Sequence, residues 1–197
     1  MEWLLELDTR LFLSINGWHN PTWDGIMWWI SGKFTWWPFY LLILIYLGAT
    51  KKLQLLPMLV FIVLGITLTD QTSVHLFKNV FHRLRPCHEP LLDGIVHLVN
   101  DKCGGQYGFI SSHAANAFGV AMLVIRWVKK RWVTLIMILW ALLIGYSRIY
   151  LGVHYPGDVI AGGLWGAACG WILGLLYQWL IKRLPFQWKK YVVHSES

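Results

Sequence analysis

Hydrophobic positions along this chain fall in long unbroken runs rather than in alternation with polar ones. Phe34–Thr50, Leu53–Thr69, Cys103–Ile125 and Val159–Ile181 contain no Asp, Glu, Lys or Arg, and Trp132–Ser147 is nearly as long. About 17–20 apolar residues carry a helix across the hydrocarbon core of a bilayer, so the runs predict five spans. The shorter Pro21–Ser31 predicts a sixth. The opening MEWLLELDTR is acidic rather than basic. It reads as an amphipathic helix on the membrane surface, within residues 1–20, and not as a cleaved signal peptide. The expected fold is therefore all-α: one integral membrane bundle over residues 1–197, with about six transmembrane helices and an N-terminal amphipathic helix. Within the last run Gly162, Gly166, Gly170 and Gly174 recur every fourth residue, a spacing that lets two helix backbones approach closely.

Composition agrees with lipid as the solvent. The 197 residues are 56% hydrophobic and 14% charged, where a soluble domain carries about a quarter charged residues, and mean hydropathy is +0.49. Fourteen tryptophans suit a protein with two headgroup zones to anchor; Trp28, Trp29, Trp36, Trp37, Trp127, Trp132 and Trp188 lie near expected span ends. The formal net charge of +7 does not imply nucleic acid, because the basic residues fall between spans instead of forming one patch. With Lys51 and Lys52 placed inside, alternation also puts Arg126, Lys129, Lys130, Arg131, Lys182, Arg183, Lys189 and Lys190 inside, as the positive-inside rule asks. Residues 84–110 then form one long external loop and residues 182–197 a cytoplasmic tail. The implied location is a bacterial plasma (inner) membrane, with the polar clusters on the periplasmic or exterior side.

On that external side three clusters close the apolar runs. KNVFHRLRP carries Lys78 and Arg85, ISSHAAN carries Ser111, Ser112 and His113, and SRIYLGVHYPGD carries Arg148, His154 and Asp158. Lys78, Arg85 and Arg148 suit a tetrahedral oxyanion, the arginines by their planar forks. Ser111 and Ser112 open a helix whose free N–H groups favour an anion. Asp158, four residues after His154 and beyond Pro156, is placed to fix the imidazole tautomer and free the other nitrogen to attack. His113 is a second imidazole, suited to protonate a leaving oxygen. Such a set performs phosphoryl transfer with no metal or other cofactor, the three cations serving as the electrostatic clamp. Each residue also has a plain reading as a cap, a headgroup contact or a solvated charge. Those readings leave unexplained why three clusters share one membrane face. Arg83 and Lys102 read as solvated loop charges. His19, His75, His82, His88, His97 and His194 read as structural or surface residues. The role of Asp70, two turns before Lys78, stays open.

The order K-x6-R-P, then S-S-H, then S-R-x5-H-x3-D resembles the three-part signature of the phosphatidic acid phosphatase type 2 superfamily. The match runs from Lys78 to Asp158. Ile110 and Ser112 depart from the family's P-S-G-H element, where Pro and Gly stand. The resemblance implies a phosphohistidine mechanism on lipid phosphates. It assigns phosphate binding to Lys78, Arg85, Ser111 and Arg148, acid catalysis to His113, attack to His154 and support of His154 to Asp158. Ser112 would contribute a backbone N–H, and its extra hydroxyl would reach the phosphate. The chain is similar to bacterial undecaprenyl-diphosphate and lipid A phosphatases alike. Phosphatidylglycerophosphate and phosphatidic acid are the next expected substrates. An anion transporter or channel would also use a cationic pocket, but it does not need a His–Asp pair beside a second His. A haem-carrying bundle would need facing His pairs within spans.

Cys87 and Cys103 both fall in the external loop. An oxidising compartment favours a disulfide between them, and free thiols are the alternative.

Overall fold

Runs that are apolar all round give helices whose outer faces remain apolar after folding. The computed structural model describes residues 2–183; residues 184–197, with Trp188, Lys189, Lys190 and His194 of the expected tail, lie outside the described residues. Apart from short 3-10 turns, the described chain is carried by α1 (Glu2–Asn16), α2 (Pro21–Ser31), α3 (Trp37–Lys51), α4 (Leu55–Phe81), α5 (Ser112–Val128), α6 (Arg131–Tyr150) and α7 (Pro156–Arg183). The described residues hold no strand, only one isolated bridge between Leu84 and Tyr107. The chain is all-α. Helices α4, α6 and α7 are each long and apolar enough to cross a membrane. Val63, Leu135 and Leu164 on them are more than half exposed, as lipid-facing positions of a membrane protein are.

The helices begin where local chemistry allows. Asn20 caps α2 by accepting the Trp23 N–H, with Pro21 as first residue. Ser111 caps α5 by accepting the Ala114 N–H, and Pro156 starts α7, where its missing N–H is no loss. The first part of the run Cys103–Ile125 is not helical: Gly104 has φ +95°, the chain stays irregular to Ser111, and the helix runs from Ser112 to Val128.

Helices α5 and α7 form the central pair, and the glycine ladder is the reason. A Cβ on Gly162 would lie 2.5 Å from the Ser111 carbonyl oxygen, and one on Gly174 would lie 2.6 Å from Arg126 Cδ. Gly166 and Gly170 sit equally tightly on the backbones of Ala115 and Gly119. The other side of α5 places Ala117, Ala121 and Val124 against Val133, Met137, Trp140, Ala141 and Ile144 of α6. Helix α4 closes the third side, with Leu123 of α5 against Gly65 and a hydrogen bond from Thr69 Oγ1 to Asn116 Oδ1 of 2.6 Å. Trp127, expected in a headgroup zone, is instead buried against Tyr177, with ring centroids 5.2 Å apart.

Two short helices sit at the pocket end of the bundle. Helix α2 has the expected bounds but only 11 residues, so it rises about 16 Å, half the depth of a hydrocarbon core. Its Met27 and Ile30 pack on Tyr150, Leu151 and Val153, at the end of α6 that carries Arg148. Helix α1 lies at that same end. Phe12 meets Tyr155 edge-on at 5.4 Å, and Asn16 Nδ2 donates to the Tyr150 carbonyl at 2.8 Å. Gly152, at φ +79°, makes the tight turn between α6 and α7; a Cβ there would lie 2.6 Å from the His97 carbonyl oxygen.

Candidate active site

The pocket forms where α4, α5, α6 and α7 end together. Helix α4 reaches it through a π-helical stretch, Ser73–Lys78; such stretches re-aim the side chains that follow and are frequent at functional sites. Here the stretch delivers Lys78 to α5, where Nζ donates to Ser112 Oγ at 2.9 Å. Ser112 Oγ also lies 2.5 Å from Ser73 Oγ. The Ser112 hydroxyl, expected to reach the phosphate, is therefore engaged in seating Lys78. Asp70, whose role was open, acts on the Lys78 charge, as do Arg85, Arg148 and Asp158.

Arg85 comes from the loop after α4. His82 ends that helix with φ +48°. The returning chain pairs Leu84 with Tyr107, and the Arg85 N–H donates to the Gln106 carbonyl at 3.1 Å. Cys87 and Cys103, 16 residues apart in sequence, are joined as a disulfide with Cα atoms 6.0 Å apart. The loop so fixed buries the Arg85 guanidinium. Nη1 lies 3.4 Å from the Cys103 carbonyl oxygen and 3.4 Å from His154 Nε2, and Nε donates to the Tyr107 carbonyl at 3.3 Å. Burial pushes Arg85 below the usual guanidinium range, and the Asp158 carboxylate partly restores it.

His154 sits in the turn between α6 and α7 with 1% of its surface exposed. Its Nδ1 lies 3.4 Å from Asp158 Oδ2, a long contact that orients the ring without holding it tightly. The same carboxylate oxygen accepts the Tyr155 N–H at 3.0 Å. Burial, and then the charges of Arg85, Arg148 and Lys78, push the His154 pKa well below the ordinary imidazole value, against a hydrogen bond with the Gly108 backbone. Burial first, and then the three cations, thus favour the neutral ring, whose Nε2 faces Arg85.

Arg148 Nη1 donates to Ser31 Oγ at 2.5 Å, so α2 seats this arginine. Its buried Nε has no hydrogen-bond partner among the described residues, which leaves a donor for an anion. His113, the second residue of α5, is partly buried and feels the charges of Arg148, His154, Lys33 and Arg85. Ser111 is fully buried; its N–H donates to the Asp158 carbonyl at 2.9 Å, locking the start of α5 to the start of α7. The structure therefore brings together Lys78, Arg85, Ser111, Ser112, His113, Arg148, His154 and Asp158. A neutral imidazole surrounded by cations, with a second imidazole nearby, suits attack on a phosphate.

Four further residues belong to this network and were not anticipated. Ser31 and Ser73 seat Arg148 and Lys78, as described. Arg83 and Asp8 link α1 to Asp158, with N···O distances of 2.8 Å from Arg83 to Asp158 and 2.7 Å from Arg83 to Asp8. Four other histidines make contacts away from the three cations. His97 pairs with Asp24 at 3.0 Å and stacks on His19, His82 meets Tyr107 edge-on, and His88 bonds the Gly104 carbonyl.

Comparison with known proteins agrees with this geometry. A family model described as the PAP2 superfamily matches residues 54–183. A lipid A 4'-phosphatase of Bacteroides thetaiotaomicron is 40% identical over 93% of this chain and 83% of its own length. A lipid A 4'-phosphatase of Porphyromonas gingivalis is 37% identical over 88% of this chain and 72% of its own length. More distantly, an undecaprenyl-diphosphatase of Sulfolobus acidocaldarius is 31% identical over 87% and 77%. Among solved structures, Aquifex aeolicus LpxE superposes with a TM-score of 0.63 at 31% identity, over 87% of this chain and 96% of that one.

Proposed function

The chain belongs to the PAP2 superfamily and is a membrane lipid phosphatase, and from that premise we propose that it removes a phosphate from lipid A through a phosphohistidine intermediate. His154 Nε2 attacks phosphorus, the bond from phosphorus to the lipid oxygen breaks, and His113 delivers a proton to that oxygen. Water, giving a proton back to His113, then cleaves the P–N bond and releases inorganic phosphate. Lys78, Arg85 and Arg148 hold the phosphoryl oxygens throughout, so the charge stabilisation that a metal ion gives elsewhere comes from fixed side chains. The observation that carries the reaction is the row Arg85–His154–Asp158, with both contacts to the ring at 3.4 Å.

The choice of lipid A rests on the two relatives of that name; undecaprenyl diphosphate is the second reading, resting on the relative from Sulfolobus acidocaldarius. Purified protein in mixed micelles, offered equal concentrations of lipid A, undecaprenyl diphosphate, phosphatidylglycerophosphate and phosphatidic acid, separates them by phosphate release. The expected order has lipid A first in kcat/KM. A higher value for undecaprenyl diphosphate would transfer the assignment to it. The same assay in excess chelator should run at full rate, and loss restored by one specific metal would contradict the cation clamp.

We read the topology as five full crossings, α3 to α7, rather than six. Asp8 of α1 contacts Arg83 and Gly157 beside the pocket. That contact requires α1 and the pocket to share a side, and a full crossing by the short α2 would separate them. With the Lys51–Lys52 turn inside, the pocket faces the periplasmic side of a bacterial inner membrane.

A further inference from the structure

Arg83 lies two residues before Arg85, and in sequence it reads as a loop charge. In the fold its guanidinium is the middle of a chain of four contacts. Nη1 donates to Asp158 Oδ1 at 2.8 Å, and Nη2 donates to Asp8 Oδ2 at 2.7 Å. The guanidinium carbon stands 4.1 Å from the centroid of the Tyr155 ring. The other oxygen of Asp8 accepts the Gly157 N–H at 2.7 Å, so Asp8 holds both Arg83 and the first turn of α7. The Asp158 side chain is fully buried, while Arg83 and Asp8 are 21% and 13% exposed. A buried carboxylate needs a partner with good geometry. Asp158 has Arg83 Nη1 on one oxygen, and the Tyr155 N–H and His154 on the other.

We infer that Arg83 and Asp8 are positioning residues for the phosphatase reaction: they fix Asp158, and through it the tautomer and direction of the His154 ring, and so make the surface helix α1 part of the catalytic scaffold. The inference rests on the reading of His154 as nucleophile. Neither residue touches the phosphate. The His154–Asp158 contact is long, so the ring's aim depends on how firmly Asp158 is held from behind. Only an arginine spans two carboxylates while stacking on a ring, which separates Arg83 from the exposed lysines of the same face. Helix α1 presents Trp3, Leu4, Leu5, Leu7 and Leu11 outward, so its apolar face is free to lie in the membrane surface while Asp8 points into the protein.

The test is steady-state kinetics of the full chain on lipid A in mixed micelles from pH 4.5 to 8.5, for Arg83→Gln, Arg83→Lys, Asp8→Asn and His154→Ala. Outer groups that orient a reacting residue typically contribute about 10- to 100-fold. Arg83→Gln should lower kcat by about that factor with KM within about twofold, since substrate contacts are intact. Its acid limb should move to higher pH, because Asp158 relieved of the Arg83 charge favours the protonated imidazole more strongly. Arg83→Lys should recover part of kcat, and Asp8→Asn should lose only a few-fold, the amide oxygen still able to accept the Gly157 N–H. Unchanged kcat and an unchanged acid limb in Arg83→Gln, with His154→Ala inactive, would overturn this inference alone. Turnover by His154→Ala would overturn the nucleophile assignment itself. Should Arg83→Gln not purify as folded protein, the limbs of Arg83→Lys and Asp8→Asn decide: wild-type profiles in both would overturn the inference.

Discussion

The α5–α7 pair meets arginine at both ends, its own Arg126 at one and Arg85 and Arg148 from neighbouring segments at the other, and the surroundings of the two differ. At one end Gly162 lies under Ser111, and at the other Gly174 lies under Arg126, each too close for a Cβ. Arg126 donates to Gln178 Oε1 at 3.0 Å and sits 4.3 Å over the Trp171 ring. These partners are neutral and lie on the adjoining helix, and its buried Nε, like that of Arg148, has no hydrogen-bond partner among the described residues. At the pocket end Lys78, Arg85 and Arg148 crowd one another and one imidazole, although like charges repel. A membrane bundle keeps such a cost when an anion offsets it. The contrast shows that an arginine at a helix end is not by itself a site. Cations converging from three separate segments are.

That contrast can be broken most severely at Arg148. Arg148→Lys should lower kcat/KM by about 100-fold or more, because a point charge replaces a planar fork at a transferring phosphoryl group. Kinetics on lipid A measure it, and a value within about threefold of wild type would remove Arg148 from the clamp.

Titration sharpens the comparison next. His154 has its pKa lowered by burial and by the three cations, so the neutral, attacking ring persists below the usual imidazole range of about 6.5. The acid limb of kcat/KM should therefore lie below about pH 6.5, and Arg85→Gln should move it upward as well as lowering the rate. Stability has a matching sign. A histidine held neutral when folded contributes fully above the unfolded value of about 6.5 and loses that contribution as pH falls below it, since the unfolded chain then binds the extra proton. Thermal melts from pH 8 to 5 should fall only on the acidic side. A melt that rises on acidification would contradict the buried neutral ring.

A gentler break acts on the loop. Cys87→Ser with Cys103→Ser should cost about 3 kcal/mol of stability in the chain-entropy model for a loop of this length, while kcat falls only modestly. Mass spectrometry of unreduced digests checks the bridge itself: two separately alkylated peptides would show free thiols. Smallest of all should be Arg126→Gln, with kcat and KM within about twofold of wild type. A large loss of turnover there would erase the difference between the two ends.

Much of the pocket is legible in the sequence, because its members sit at fixed offsets within short segments. Lys78 and Arg85, Ser111 to His113, and Arg148 to Asp158 each lie where a helix of the bundle starts or ends, and membrane geometry brings such ends to one face. The supporting residues are not legible. Arg83 meets Asp158 across 75 positions, and Ser31 meets Arg148 across 117. Nothing local separates Arg83 from Lys102, which instead lies over Trp28. The partners of the Ser112 hydroxyl, Lys78 and Ser73, are not legible for a related reason: they depend on a π-helical stretch that composition does not announce. A short apolar segment such as helix α2 reads alike whether it crosses lipid or packs on the end of a neighbouring helix.

The central claim is that His154, and no other group, carries the phosphoryl group between lipid and water. Rapid alkaline quench of the wild-type enzyme during turnover of lipid A, followed by peptide mass spectrometry, tests it directly, because a phosphohistidine survives base and is lost in acid. The account predicts one added phosphate on the peptide holding His154, absent in His154→Ala. A phosphate on another residue, or continued turnover of lipid A by His154→Ala alone, would contradict it.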